Sequence, residues 1–212
     1  MSNVPFHGKL LVLGCGSVAR CTLPLILRHV EMPANRITIL EMEDLRHSIP
    51  SVISTGVHYI RQRITPENYT DILKAQVGPG DMIVDLTWNL ETVDLLDWCH
   101  RHDVRYLNTS VEQWDPYADV DTLPLTDRTL YYRQMEIRQL IDSWGATSKS
   151  PTAVLDHGAN PGLVSHFTKT ALLDIAQRWC EEPDCQHSLG ETASLREIEE
   201  AQTRAVTELK TA

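Results

Sequence analysis

Two glycines one residue apart, Gly14 and Gly16, stand between a short apolar run and a segment with apolar residues at helical spacing. Ala19 follows at the third small position and completes the spacing G-x-G-x-x-A. In such a turn the first glycine permits a sharp change of direction, and the second lets a pyrophosphate approach the backbone. The third small residue lets the helix pack against the strand, with its positive end facing the phosphates. The spacing therefore predicts a dinucleotide-binding turn.

A carboxylate follows the next apolar run. Residues 36–40 read as a strand, and Glu41 ends it. A carboxylate in this position binds both hydroxyls of an adenosine ribose and repels the 2′-phosphate of NADP. Glu41 therefore favours NAD as the cofactor, and a solvated glutamate at a strand end is the alternative interpretation.

The glycine turn also has a second interpretation, since the run Leu-Gly-Cys-Gly-Ser resembles the turn that holds S-adenosylmethionine in methyltransferases. No acidic residue stands immediately before Gly14, and Ala19 occupies the position at which helix and strand pack. Both features count against a methyltransferase and favour the dinucleotide.

Polar side chains follow the fourth and fifth predicted strands. Thr87 and Thr109 each stand where they would contact the ribose or nicotinamide side of the cofactor or, alternatively, cap a turn. Glu112 and Trp114 come next, and a carboxylate and an indole two residues apart can bind one ammonium group by charge and by cation–π attraction. The alternatives are a surface charge for Glu112 and a core or interface aromatic for Trp114.

A second tight loop, residues 157–165, follows the sixth predicted strand. It contains small residues, the amide of Asn160 and an X-Pro turn, and we expect it to face the glycine turn across the site. His157 is a candidate acid or base because an unperturbed histidine titrates near neutral pH, although a hydrogen-bonded structural histidine is the alternative. Glu112 and His157 are therefore both candidates for proton transfer, and the sequence assigns neither as the catalytic base.

Strand and helix patterns alternate along the chain, and these elements must position the polar residues. The predicted strands are residues 9–13, 36–41, 57–60, 81–86, 104–108 and 152–156. Thr65 followed by Pro66 predicts the start of one of the intervening helices. This alternation predicts an α/β fold with a doubly wound parallel sheet of the Rossmann type. In such a sheet, ligands bind outside the carboxyl ends of the strands.

The composition is typical of a cytosolic enzyme domain. The formal net charge of -10 argues against nucleic acid and against an anionic membrane surface, and it suits a cationic substrate. The five cysteines are scattered without a C-x-x-C pair, which indicates free thiols in a reducing compartment and no metal site. No apolar run approaches the about 20 residues of a membrane span. We therefore expect a cytoplasmic protein that does not bind membranes.

Three blocks of residues together resemble bacterial homospermidine synthase, a family within the wider saccharopine dehydrogenase-like group. The blocks are residues 14–26, residues 111–114 and residues 158–165, the last reading Gly-Ala-Asn-Pro-Gly-Leu-Val-Ser. The resemblance implies an NAD-dependent enzyme that oxidises putrescine to an imine, lets a second diamine attack, and reduces the product with the same hydride. It implies a cofactor site lined by Gly14, Gly16, Ser17, Val18 and Thr109. It also implies that Glu112 and Asn160 hold the diamine near the nicotinamide.

The resemblance extends from about residue 8 to about residue 179. It implies a Rossmann NAD-binding domain at residues 1–179. We expect residues 180–212 to form a polar helical tail that is either the truncated start of a second domain or disordered. Members of the family are much longer, and their second domain supplies much of the diamine pocket and of the dimer interface. A homodimer is therefore expected only where that second domain is present.

Two further functions stay open at this point. One is a related oxidoreductase that acts on another amine or amino acid, in the manner of saccharopine dehydrogenase or carboxynorspermidine dehydrogenase. The other is a catalytically silent NAD-binding fragment or interaction protein, which the shortness of the chain favours.

Overall fold

The computed structural model describes residues 3–118, 121–145, 150–160 and 162–181. The chain divides into two compact units, residues 1–157 and residues 158–212. The first unit holds a β-sheet covered by helices, and the described part of the second unit holds one long helix.

Six strands form one sheet in which every neighbouring pair is parallel. In chain order they are β1 Leu10–Leu13, β2 Ile37–Glu41, β3 His58–Arg61, β4 Met82–Asp85, β5 Arg105–Asn108 and β6 Ala153–Val154. Their order across the sheet is β3-β2-β1-β4-β5-β6, which is the order of a doubly wound dinucleotide-binding fold. A separate short parallel pair joins Val4–Pro5 to Val30–Glu31. The predicted α/β fold with a doubly wound parallel sheet is confirmed.

Helices lie between successive strands, and one further helix follows the last strand. They are α1 Ser17–His29, α2 Pro50–Ile53, α3 Tyr69–Gln76, α4 Thr92–Arg101, α5 Leu130–Trp144 and α6 Leu163–Glu181. Helix α3 begins later than the Thr65–Pro66 pattern predicts, because a turn precedes it in which the side chain of Asn68 accepts a hydrogen bond from the backbone N–H of Thr65 at 2.8 Å. Within the described part of the chain, every helix is too short or too polar to cross a lipid bilayer.

The side chains of β1 alternate between two hydrophobic clusters on opposite faces of the sheet. Leu11 and Leu13 pack with residues of α3, α4 and α5, whereas Leu10 and Val12 pack with residues of α1 and α2. All four side chains are buried. Because helices cover both faces, β1 is apolar along its whole length, and polar groups that bind ligands belong at the ends of the strands.

The register of the strands aligns their carboxyl ends. Leu13 pairs with Leu40 on one side and with Asp85 on the other, and Asp85 pairs with Asn108. Neighbouring strands lie about 4.8 Å apart, so the segments that follow these residues come together at one edge. We call this the carboxyl edge of the sheet, and it is where the sequence predicts the functional site.

Candidate functional site

The glycine turn begins at Gly14, whose backbone adopts a left-handed φ of +88°. A Cβ at this position would lie 3.0 Å from the carbonyl oxygen of Leu86 and 3.0 Å from the methyl carbon of Thr87. Residues with a side chain rarely adopt this φ, and the segment after β4 leaves no room for one. Both the backbone conformation and the packing therefore require glycine here.

Gly16 is a glycine for a different reason. It precedes α1 with a φ of −70° and a ψ of −166°, which any residue can adopt, and a Cβ there would have no protein atom within 4 Å. Helix α1 has no side-chain cap and no acidic residue in its first turn, so its first N–H groups are available to an anion. This cradle fits a pyrophosphate, which supports the predicted cofactor role of Gly16, Ser17 and Val18. Ala19 is fully buried where α1 packs on the sheet, as its position in the motif predicts.

Glu41 lies at the end of β2 and is bound to the glycine turn. Its Oε2 accepts a hydrogen bond from the backbone N–H of Cys15 at 2.7 Å. Its Oε1 accepts from the backbone N–H groups of Met42 at 2.7 Å and Glu43 at 3.3 Å. A carboxylate has about four acceptor positions, so one remains for a ribose hydroxyl. These contacts place Glu41 beside the phosphate cradle and leave it one acceptor, whereas the sequence predicts contacts to both ribose hydroxyls; its role as the ribose-binding acid stays a prediction.

Asp85 ends β4 and is buried. Its Oδ1 accepts hydrogen bonds from the backbone N–H of Thr87 at 3.1 Å and from the Thr87 hydroxyl at 2.5 Å, and its Oδ2 accepts from the Tyr106 hydroxyl at 2.8 Å. Burial raises the pKa of the Asp85 carboxyl, the bonds from Thr87 and Tyr106 oppose that rise, and the charge of Glu112 adds to it. Thr87 therefore caps the turn after β4, and the same contact holds its methyl group against Gly14.

Asn108 ends β5 and connects three neighbours. Its side-chain nitrogen donates to the Tyr106 hydroxyl at 3.4 Å and to the Thr92 hydroxyl at 3.5 Å. Its side-chain oxygen accepts from the backbone N–H of Asp156 at 2.9 Å. The Thr92 hydroxyl also accepts from the backbone N–H of Glu112 at 2.9 Å. This network fixes the loop that carries Glu112 to the ends of β4 and β5.

Asp156 follows β6 with a left-handed φ of +54° and is buried. The amide of Gln134 donates to its Oδ2, and the backbone N–H of Val111 also interacts with this carboxyl. Burial raises the pKa of the Asp156 carboxyl, the hydrogen bonds from the Val111 backbone and from Gln134 oppose that rise, and the nearby charge of Glu112 adds to it. A residue other than glycine in a left-handed backbone conformation is often found at a functional site. Asp85, Glu112 and Asp156 therefore form a group of three carboxyl groups at the carboxyl edge.

Trp114 is held by two hydrogen bonds and one aromatic contact. Its indole N–H donates to the Asp94 carboxylate at 2.8 Å, its backbone N–H donates to Glu91 at 3.4 Å, and its ring centroid lies 5.6 Å from that of Tyr69. These contacts favour the interpretation of Trp114 as a core aromatic. The predicted ammonium site shared with Glu112 uses the face of the indole ring and stays a prediction.

The other predicted residues are placed as follows. Thr109 follows β5 and is partly buried, and the side chain of His157 is exposed while its backbone N–H donates to the carbonyl oxygen of Asn108 at 3.0 Å. Asn160 is exposed and belongs to the second unit. The roles of these residues, and the domain boundary at residue 179, stay predictions. Residues 182–212, most of the predicted tail, lie outside the described residues.

Sequence reasoning missed several members of the site. Asp85, Asn108, Asp156 and Gln134 all join its hydrogen-bond network. The signal for Asp85 is a carboxylate at the end of an otherwise apolar strand, since a buried charge needs hydrogen-bond partners. The signal for Gln134 is a polar side chain one helical turn before Ile137 on the buried face of α5.

The strand order, the glycine turn and the acid at the end of β2 define a Rossmann-type dinucleotide-binding domain. Residues 10–154 match the saccharopine dehydrogenase NADP binding domain family, and the chain belongs to this family. Membership confirms the prediction of a nicotinamide dinucleotide cofactor.

Homospermidine synthases are similar to this chain in sequence and in structure. The enzyme of Blastochloris viridis is 31% identical over 173 residues, which are 80% of this chain and 35% of the relative. That of Mesorhizobium japonicum is 32% identical over 184 residues, 82% of this chain and 36% of the relative. The crystal structure of the Legionella pneumophila enzyme in complex with NAD matches with a TM-score of 0.70 and 29% identity, covering 84% of this chain and 35% of that one. The predicted resemblance is confirmed, and the chain spans about a third of the length of these relatives.

Proposed function

We propose that this chain is the NAD-binding part of a homospermidine synthase-like enzyme. In the homospermidine synthase reaction one putrescine is oxidised to an imine, the amine of a second putrescine attacks that carbon with release of ammonia, and the new imine is reduced by the same hydride. The observation that carries the proposal is the placement of Glu112 in a loop fixed to the end of β5 through Thr92 and Asn108, because a carboxylate at this edge suits a substrate with ammonium groups. The similarity to homospermidine synthases supports the same function.

The cofactor in this proposal is NAD. The glycine turn and the start of α1 would hold the pyrophosphate, and the free acceptor position of Glu41 would hold the adenosine ribose. Thr87 and Thr109 follow β4 and β5, the strands on the other side of β1 from Glu41, where the nicotinamide half belongs. When bound, the nicotinamide accepts a hydride from the carbon that bears the amine and returns it to the final imine.

The residues of the chain then have two tasks. Glu112 binds an ammonium group of putrescine by charge, and Asn160 is the second residue that we assign to the diamine. The ammonium group at the reacting carbon must lose a proton before that carbon can lose a hydride, so one group must accept the proton. Glu112 and His157 are the candidates for this step.

The test is a calorimetric titration of the purified chain with NAD, then with putrescine on the NAD-loaded protein, with mass spectrometry of the products. Binding of both ligands with formation of homospermidine supports the proposal in full. Binding of both ligands without product supports the binding site and overturns turnover by this chain alone. Absence of NAD binding overturns the proposal.

A second candidate function is an oxidoreductase of the saccharopine or carboxynorspermidine type. The chain belongs to the saccharopine dehydrogenase NADP binding domain family, and this membership favours the saccharopine-type oxidoreductase. Titration of the NAD-loaded chain with saccharopine beside putrescine separates the two, because an amino acid substrate brings carboxylates that Glu112 repels, whereas a diamine brings none. Three further expectations belong to the homospermidine synthase-like proposal. The protein is cytoplasmic, it has no nucleic acid partner, and it forms a homodimer where the second domain is present.

A further inference from the structure

The loop after β2 carries an ion pair with two parallel contacts. We call residues 41–46 the acidic loop, because it contains Glu41, Glu43 and Asp44. The guanidinium of Arg46 donates from Nε to Oδ1 of Asp44 at 2.8 Å and from Nη2 to Oδ2 at 2.6 Å. The backbone N–H of Arg46 also donates to Oδ1 of Asp44 at 3.3 Å. This fork geometry engages two of the guanidinium nitrogens with one carboxylate.

Tyr59 on β3 fixes the same loop from the other side. Its hydroxyl donates to the carbonyl oxygen of Glu43 at 2.6 Å and accepts from the backbone N–H of Leu45 at 3.0 Å. The guanidinium carbon of Arg46 lies 6.0 Å from the centroid of the Tyr59 ring. Arg46 is therefore held by Asp44 and placed over Tyr59.

Arg46 follows the second strand of the sheet, and an arginine near this position affects which cofactor a Rossmann domain binds. An acid at the end of the second strand binds the ribose 2′-hydroxyl of NAD, whereas an arginine nearby accommodates the 2′-phosphate of NADP. The acidic loop contains both kinds of residue. The family is described by NADP binding, so the choice between the two cofactors must be set by residues of the individual chain.

We infer that Asp44 determines cofactor specificity: by pairing with Arg46 it withholds a guanidinium from the 2′-phosphate of NADP. The inference rests on the proposed function and adds to it, since it assigns the preference for NAD to a second residue besides Glu41. A 2′-phosphate that reaches the acidic loop meets the carboxylate of Glu41 and an arginine whose guanidinium is already paired with Asp44.

Arg61 on β3 is a second cation beside this loop. It pairs in register with Glu41 and donates from Nε to the carbonyl oxygen of Met42 at 3.4 Å. Its charge also acts on Asp44, where the hydrogen bonds from Arg46 are the larger effect in holding the pKa of the carboxyl below its usual value. Arg61 stays unchanged in every variant below, so it cancels from the comparison.

The test is the ratio of the dissociation constants for NADP and NAD, measured by calorimetry on the purified full chain. In Asp44→Asn the charge that neutralises Arg46 is lost, and we expect NADP to gain about tenfold relative to NAD. The gain is expected to be lost again in Asp44→Asn/Arg46→Ala. It is also expected to shrink at about 0.5 M salt, because the loop is exposed and its charges are screened.

The matched control is Glu43→Gln, which removes one negative charge from the neighbouring residue and leaves the pair of Asp44 and Arg46 intact. We expect its ratio to stay within about twofold of the unmodified chain. An equal gain in Glu43→Gln and Asp44→Asn, or a gain that survives the loss of Arg46, overturns the inference and leaves the proposed function standing. Failure of the unmodified chain to bind either dinucleotide overturns the proposed function and the inference with it.

Discussion

The carboxylate of Glu41 accepts a hydrogen bond from the backbone N–H of Cys15 at 2.7 Å. Cys15 lies between the two glycines of the turn, so this contact joins the end of β2 to the phosphate cradle. The predicted ribose-binding acid and the predicted phosphate-binding turn are therefore held together by one bond before any cofactor arrives. Their relative position is part of the folded structure.

Replacement of Glu41 tests this contact. In Glu41→Ala the backbone N–H groups of Cys15 and Met42 lose their acceptor, and we expect a loss of about 1–3 kcal/mol in the free energy of unfolding. NAD affinity is expected to fall at least about tenfold, because the turn loses its brace and the ribose loses its acceptor. Glu41→Gln, which keeps one acceptor oxygen, is expected to lose less of both. Urea denaturation and calorimetry measure the two effects, and undiminished NAD affinity in Glu41→Ala would contradict the assignment.

The two glycines of the turn are expected to respond differently to the same substitution. Gly14→Ala places a Cβ against Leu86 and Thr87 at a strained φ, so we expect a loss of about 1–3 kcal/mol in stability. Gly16→Ala meets no protein atom, so stability is expected to stay within about 0.5 kcal/mol while NAD affinity falls. Thermal unfolding and NAD titration of both variants distinguish them. Equal losses of stability at both positions would show that Gly16 is required by the fold.

The buried carboxyl of Asp85 predicts a dependence of stability on pH. Burial raises its pKa above the ordinary 3.8, so the folded chain keeps this proton when the unfolded chain has lost it. Such a group contributes stability that is fully present below the unfolded pKa and is lost as the pH rises through the folded pKa. We therefore expect Asp85→Asn to gain stability relative to the unmodified chain as the pH rises from about 4 toward neutrality.

Urea denaturation of both proteins at a series of pH values measures this difference, in which the other titrating groups cancel. A difference in the free energy of unfolding that stays constant across the range would contradict the raised pKa of Asp85.

Glu112 and Trp114 separate the two interpretations of the loop after β5. Glu112→Gln removes the charge assigned to the diamine, so we expect weaker putrescine binding to the NAD-loaded chain and an unchanged affinity for NAD. Trp114→Phe removes the bond to Asp94, so we expect a loss of about 1 kcal/mol in stability and the same putrescine affinity. Loss of putrescine affinity in Trp114→Phe alone would contradict this assignment and would show that the indole binds the substrate.

Much of the fold is visible in the sequence because its signals are local. The apolar runs before Gly14 and before Glu41 predict strands, and the structure places both inside the sheet with a neighbouring strand on each side. The start of α3 is less visible, because Asn68 closes a turn that competes with the helix start predicted at Pro66. Periodicity fixes the existence of an element better than its ends.

The site is visible only in part. Gly14 and Glu41 are found by their spacing, since a Rossmann turn needs those residue types at those positions. Asp156 and Gln134 are far apart in the sequence, and only the folded chain shows that Gln134 binds the carboxyl of Asp156. Trp114 shows the opposite problem, because its partner Asp94 on α4 cannot be inferred from a motif.

The central claim is that the chain binds NAD through the glycine turn and the start of α1. Calorimetric titration with NAD of the purified chain and of Gly16→Val tests it most directly, with circular dichroism to show that both are folded. We predict saturable binding at one site in the unmodified chain and loss of that binding in the variant, whose side chain fills the space of the pyrophosphate. No binding to the unmodified chain, or equal binding to both proteins, would contradict the claim.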